Sequence, residues 1–548
     1  MAVFHIAVIS ARDHGRMINH GMFKQASGNG QRQPGAWAMP TRALGLLAIM
    51  ALLSIVAVSG LRFINLGAKV YWHDEAYSSL RVFGHTGPEY YANMFDGKVH
   101  AVADVQNYQH LDPERGLAAT LTALASRPEH PPLYYFLARL WAGFFQDPVV
   151  ALRSLSALFG LLLLPAVYWF ARELFANERV SWATVALAAS SPLYLIYSQE
   201  ARQYALWMLL TALSCAALLH VLRTHSRRAL FVYALTVALG LYAHIMAVFI
   251  IVAHVTYLFL LRDRYPRELL KSCSVALALG GLAFMPWLVL FLNAIPDVSQ
   301  VTGWMWNPVS TPELLRGMLV NVNRLFFDFT GSEYLVPVSL GVAAVAVGRV
   351  WHRAPESTRL LPLLLLTITG LAVLLPDLLA GGRRSLETRY LLPALLVLGI
   401  CVAYLIGTGA SLLTQRGRAI GVLGALLIAG GVYSQLMIVS SSTWWNKSFS
   451  ANNAEIAAAV NAAERPLLIA GLGEVNPGEL LSLSYLLDNR VQLLLLGGDA
   501  PEPLPQGYSR YFVLSPAWSQ LRWPDPAYTT RKVVDGLGMW ELIPRDGR

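Results

Sequence analysis

The sequence predicts an all-α polytopic membrane protein with a small α/β domain at its C-terminal end. Three observations predict it. Of 548 residues, 55% are hydrophobic and only 14% charged, where a soluble domain carries about 25% charge. Mean hydropathy is +0.47. Apolar runs of spanning length recur from residue 43 to residue 440, whereas 441–548 have ordinary polarity. These features exclude a cytosolic enzyme, a secreted disulfide scaffold and a disordered regulator. Cys215, Cys273 and Cys401 all lie in apolar runs and read as small buried side chains, without disulfide or zinc spacing. The excess of 42 Lys+Arg over 33 Asp+Glu fits basic cytoplasmic loops better than a nucleic-acid partner.

The elements follow in order. Residues 1–42 form a basic, polar tail, expected to be disordered and cytoplasmic. A first span covers about 43–65, and 66–130 make a long extracytoplasmic loop. Further apolar runs lie near 153–171, 180–197, 204–222, 229–243, 246–261, 272–293, 334–348, 360–379, 391–412 and 419–440. The stretch 131–146 decides the topology. If it crosses, the later basic loops move outside; it is therefore read as a juxtamembrane or re-entrant helix on the outer face. The count is about eleven spans, within roughly ten to thirteen, with the N-terminus inside and the C-terminus outside. In 441–548, short apolar runs such as 466–471, 491–496 and 511–514 alternate with Asn/Pro/Gly-rich turns, the pattern of strands in a small extracytoplasmic α/β domain.

In this topology the unusual polar residues gather at the outer ends of spans, where acids and histidines near hydrocarbon need a reason. YWHDEAYSSL (71–80) places Asp74 and Glu75 beside His73, a candidate general base and divalent-cation site, or else a helix start with belt aromatics. EHPPLYY (129–135) puts Glu129 and His130 at a Pro-initiated helix N-terminus suited to an anion. SQEARQY (198–204) offers Glu200 and Arg202, which could pair together or hold a sugar and a phosphate. YAHIM (242–246) turns Tyr242 and His244 toward the same outer side, although a lone histidine is more often structural. GGRRSLETRYLLP (381–393) breaks the positive-inside trend with Arg383, Arg384 and Arg389, an arrangement that suggests anion binding or salt bridges to Glu387 or Asp377. Trp304, Trp306, Trp444 and Trp445 read first as belt residues.

The ordered set of acidic pair, HPPLYY, RSLSALFGLL (153–162), SPLYLIYSQEARQYALW (191–207), LYAHIMAVF (241–249) and ETRYLLP (387–393) resembles the membrane-embedded glycosyltransferases of GT-C fold. Within them it is similar to the bacterial branch related to protein O-mannosyltransferases and the lipid A aminoarabinose transferase, over about 70–410. The resemblance implies that 43–440 form a catalytic membrane domain. It implies a polyprenyl-phosphate-linked sugar as donor, and a glycan, lipid or protein as acceptor, at the outer face of a bacterial cytoplasmic membrane. On this basis Asp74, with Glu75 beside it, would act on the acceptor. Glu129, His130, Glu200, Arg202, Tyr242, His244, Arg384 and Arg389 would serve the donor. A divalent cation is left open. Nothing in the sequence carries a nucleotide loop of GxGxxG or Walker type. Three rivals remain: a secondary transporter, which would place its polar groups at the midplane on broken helices, a membrane scaffold, and an enzyme of the same fold with other substrates, such as an oligosaccharyltransferase or polymer ligase. The WWNK at 444–447 sits where oligosaccharyltransferases carry WWD; its Asp is missing, and it is read as coincidence.

Overall fold

The computed structural model describes residues 55–443, 446–447, 449–498, 504–515, 528–534 and 538–545. The expected tail, most of the first span, and Trp444 and Trp445 fall outside them.

The first loop opens with α1 (His73–Val82). After it, α2 (Leu133–Ala142) has ten residues. At about 1.5 Å per residue it is far too short to cross a ~30 Å hydrocarbon layer. The helical layer then runs through α3 (Pro148–Phe175), α4 (Glu178–Ser190), α5 (Pro192–Ser198), α6 (Tyr204–Thr224), α7 (Arg227–Ala243), α8 (Val248–Leu260), α9 (Arg267–Ala283), α10 (Met285–Asn293), α11 (Val336–Arg353), α12 (Glu356–Ala380), α13 (Leu392–Gly409) and α14 (Gln415–Ser440). Local chemistry fixes the ends. Asp147 accepts from the amides of Val149 and Val150 ahead of Pro148, and Asn177 does the same for Arg179 and Val180. Between them Ala176 takes the left-handed conformation that ends α3.

Every apolar run expected between 153 and 440 is helical, but the expected count of eleven spans is not confirmed. Among the described residues six helices are long and apolar enough to cross, or eight if α4–α5 and α9–α10 each count as one bent span. Most of the first span lies outside the described residues; the rest of the difference has a physical origin. Pro192 and Pro286 break their runs into pairs bent by 61° and 51°. Meanwhile α7 and the stretch Ile245–Leu260 fall short of a full crossing length.

The α4–α5 break shows how irregular backbone is tolerated inside the layer. Its freed carbonyls are claimed by long side chains: Gln435 of α14 donates to Ala189 O (2.8 Å) and Ser191 O (3.0 Å), and Arg62 donates to Ala188 O (3.1 Å). Gly431 of α14 lets that backbone come close, because a Cβ there would collide with Ser190 O.

The C-terminal region forms a six-stranded sheet with α15 (Asn453–Asn461) and α16 (Pro477–Ser484) beside it. The strands β1 (Asp96–Ala101), β2 (Pro466–Gly471), β3 (Gln492–Leu496), β4 (Arg510–Leu514), β5 (Tyr528–Val534) and β6 (Met539–Pro544) lie in the order β1-β3-β2-β4-β6-β5. The three central strands are parallel and buried, which is why they read as unbroken apolar runs. β1 comes from the first loop and pairs antiparallel with β3. The loop and the C-terminal region therefore share one sheet. Further ties bind them: Gln109 donates to Leu481 O (3.0 Å), Gln106 to Ser484 O (2.7 Å), and Ser482 to Tyr71 O.

Candidate functional site

At one face of the helical layer, α1 meets the 199–203 turn between α5 and α6, the 384–391 turn before α13, and the segment after α14. Three of the predicted residues converge there. Asp74 Oδ2 lies 3.2 Å from Arg389 Nη1 and 4.0 Å from Arg202 Nη2, and Oδ1 lies 3.2 Å from His73 Nε2. Arg202 is held by donating to Asp74 O (3.2 Å) and Ser78 Oγ (3.0 Å). The Arg389 guanidinium sits 5.4 Å from the ring of Trp72 and 5.7 Å from that of Trp304. Burial alone would raise the Asp74 carboxyl, but His73 in its protonated form, Arg202 and Arg389 outweigh it and hold it well below the usual carboxylate range. The Asp74 side chain is still 24% exposed, so a substrate can reach it.

Glu75 is different. Its side chain is 0% exposed and both oxygens are taken. Oε1 accepts from Arg153 Nε (2.9 Å) and Ala201 N (2.7 Å); Oε2 accepts from Arg153 Nη2 (2.8 Å) and Trp72 N (3.0 Å). Arg153 also caps the carbonyls of Leu66, Lys69 and Val70. Glu75 thus ties the first loop to α3 and leaves nothing for a substrate or cation. No group of three or more His, Cys, Asp or Glu placed to hold a metal occurs among the described residues.

His244 stacks on Trp207 (4.1 Å, 11° between planes) and lies 5.9 Å from Tyr204, whose hydroxyl is 3.5 Å from Arg202. Its Nδ1 accepts from Met246 N (3.2 Å). Burial, then Arg202 and Arg389, pull it down to about 3, so it is a neutral imidazole with Nε2–H to donate. His130 is likewise held well below the ordinary histidine value, by burial and then by Arg81 and Arg202. It stands beside Glu129 (3.9 Å), and Glu129 Oε2 and His130 Nδ1 are both buried without a hydrogen-bond partner. Glu200 lies behind the site against Lys447 (2.9 Å); burial outweighs that lysine and keeps its carboxyl raised.

Two expected residues turn elsewhere. The Tyr242 hydroxyl donates to Ala283 O (2.8 Å) at the end of α9. Arg384 bonds Asp377 (2.7 Å) under the ring of Trp306 (3.7 Å) and braces its own turn. Two residues escaped sequence reasoning. Lys447 lies 3.8 Å from the ring of Trp72. Glu479, on α16, lies 3.6 Å from His73 Nδ1. For Lys447 the WWNK string was the available signal; for Glu479 there was none.

Residues 129–290 match the family described as dolichyl-phosphate-mannose-protein mannosyltransferase. The fold is similar to that of ArnT from Cupriavidus metallidurans bound to undecaprenyl phosphate, at 12% identity and a TM-score of 0.52, over 91% of this chain and 98% of that one. The apo form of the same protein gives 10% identity and a TM-score of 0.52, over 92% and 98%. The Archaeoglobus fulgidus oligosaccharyltransferase aligns at 12% identity with a TM-score of 0.46, over 81% of this chain and 64% of that one. Among curated proteins no sequence matches the chain. The chain thus shares its fold with ArnT, and a segment of it is similar to the mannosyltransferase family. The transporter reading finds no support in these matches.

Proposed function

We propose that the chain moves a sugar from a polyprenyl-phosphate carrier to an acceptor hydroxyl at the outer face of a bacterial cytoplasmic membrane, in the synthesis of a cell-envelope glycan or glycoprotein. The observation that carries this is the meeting of one reachable carboxylate, Asp74, with Arg202 and Arg389 at the ends of the helices. The acceptor oxygen attacks the anomeric carbon while Asp74 takes its proton, and the departing phosphate needs cations. Arg202 and Arg389 are the phosphate ligands in this reading, with the Nε2–H of His244 and the Lys447 ammonium beside them. Glu129 and His130 would meet sugar hydroxyls, a role their unpartnered buried atoms support. One direct displacement inverts the anomeric centre.

The orientation rests on charge. Arg172, Arg179, Arg223, Arg227, Arg228, Arg262, Arg264, Arg353, Arg416 and Arg418 cluster at the helix ends opposite the site, as expected of a cytoplasmic face. The test is a transfer assay. The full chain in liposomes receives radiolabelled undecaprenyl-phosphate hexoses and pentoses with envelope glycolipid or peptide acceptors. Transfer with an inverted product from at least one donor is expected. Donors that cross the bilayer unconsumed, with no transfer from any of them, would instead favour transport.

A further inference from the structure

A proton leaves the acceptor hydroxyl during transfer, and Asp74 is a poor final holder for it, crowded as it is by Arg202 and Arg389. The next group outward is His73. Its Nε2 faces Asp74 Oδ1 at 3.2 Å, and its Nδ1 faces Glu479 Oε1 at 3.6 Å. His73 Nδ1 and Glu479 Oε1 are both buried, and neither has a hydrogen-bond partner among the described residues. They are therefore each other's natural partners, a few tenths of an ångström from a hydrogen bond.

Both side chains are held in this alignment. Glu479 Oε2 accepts from Ser450 Oγ (2.8 Å) and Asn453 Nδ2 (3.4 Å), which leaves Oε1 for the imidazole. The His73 amide donates to the same Ser450 Oγ (3.0 Å). The ring is wedged edge-on between Trp72 (5.1 Å) and Phe449 (4.7 Å). The charged groups facing it are Asp74 from its own helix and Glu479 from α16; Arg202 and Arg389 stand beyond Asp74.

We propose that His73 carries away the proton taken by Asp74, and that Glu479 of the C-terminal domain is the residue that positions and balances it; this rests on the transferase reading above. The bond from the acceptor oxygen to the anomeric carbon forms as the anomeric bond to phosphate breaks, and that bond's electron pair leaves with the polyprenyl phosphate. The hydroxyl proton passes to the Asp74 carboxylate and on to Nε2 of His73 in its neutral form, whose own proton is on Nδ1 toward Glu479. Glu479 compensates the imidazolium until water removes the proton. The C-terminal domain thereby takes part in the chemistry.

Two measurements on the full-length protein test this. In the first, [13C]histidine NMR follows the titration of His73, assigned by its loss in His73→Asn. Glu479→Gln removes the facing carboxylate and should lower the His73 midpoint by about one pH unit. Glu479→Asp should give a smaller shift. An unchanged midpoint in both overturns the pairing. In the second, initial rates are taken against pH with whichever labelled undecaprenyl-phosphate sugar the wild type transfers. Neutral His73 is the active form, so activity falls as pH drops through its midpoint. Glu479→Gln should move that acid limb to lower pH and cut kcat roughly tenfold at neutral pH with donor KM unchanged. A wild-type pH profile, or a loss confined to KM, overturns the relay. If the wild type transfers no sugar at all, the transferase reading fails while the NMR result still decides the pairing.

Discussion

Two charged clusters at opposite faces of the helical layer differ in how their charges are matched. At the face away from the site, Glu173 accepts from Trp169 Nε1 (3.2 Å), His220 Nδ1 (2.8 Å) and Arg223 Nε (2.8 Å) and Nη2 (2.7 Å). One carboxylate meets one arginine, and its oxygens are saturated. At the site face, Asp74 meets Arg202, Arg389 and His73, while Glu387 lies 3.3 Å from Arg389 Nη2 and Glu479 3.6 Å from His73 Nδ1. Arg202 Nε and Arg389 Nε are buried there without a partner. A closed network holds helices together. A network with idle donors has capacity left for an anion, which is what the proposed donor phosphate would use. The same contrast separates neighbours one residue apart, because Glu75 is saturated and Asp74 is not.

The largest expected effects break this contrast at Asp74 and Glu75. Asp74→Asn should lower kcat by about 10³-fold while leaving thermal unfolding of the detergent-solubilised protein unchanged. Glu75→Gln should do the reverse, costing about 3–5 kcal/mol of stability by leaving Arg153 buried and uncompensated, with yield and unfolding temperature as readouts. If Asp74→Asn unfolds the protein, or Glu75→Gln leaves it stable but inactive, the two roles are wrongly divided.

A smaller effect is expected at the arginines with idle donors. Arg389→Lys keeps the charge but loses the planar fork between Trp72 and Trp304. It should raise donor KM roughly tenfold with little change in stability. Arg223→Lys, at the saturated cluster, should leave transfer kinetics untouched. Equal kinetic losses in both variants would show that charge matching does not mark the site.

How much of this was legible in the sequence follows from range. Asp74, Arg202, His244 and Arg389 stood out because ionisable residues at helix ends near hydrocarbon are costly and each needs a reason. Telling Asp74 from Glu75 was beyond the sequence. Consecutive helical side chains point about 100° apart, and which of the two meets solvent is decided by Arg153, far along the chain on α3. Tyr242 and Arg384 share turns with residues of the candidate site, and sequence proximity does not give side-chain direction. Glu479 reaches the site because the first loop packs on the C-terminal region, through β1 and through bonds such as Ser482 to Tyr71 O. DGKVHA (96–101) is too polar and exposed to announce itself as a strand. The strands PLLIAG, QLLLL and RYFVL were readable because parallel strands buried on both faces have no polar side to alternate with.

The smallest expected effect lies in that sheet and checks the same distinction away from the membrane. Glu541 on β6 accepts from Arg510 Nε (2.5 Å) and Nη2 (2.9 Å) and from Arg531 Nη2 (2.6 Å) across the neighbouring strands. The Arg510 hydrogen bonds, against opposing burial and with help from Arg531, hold its carboxyl below the usual range. A carboxyl lowered on folding contributes stability that is complete above its unfolded value near 4.3 and is lost as pH falls through the lower folded value. Arg531 is largely exposed, so solvent screens its part and the whole cluster contributes about 1 kcal/mol. Unfolding of the full chain should therefore be slightly easier in Glu541→Gln at pH 7, and the difference should shrink toward pH 3. Transfer activity should stay at the wild-type level, because this saturated cluster has no idle donor to offer a substrate. A kinetic defect in Glu541→Gln would mean that the sheet's charges act on the site by a route other than Glu479.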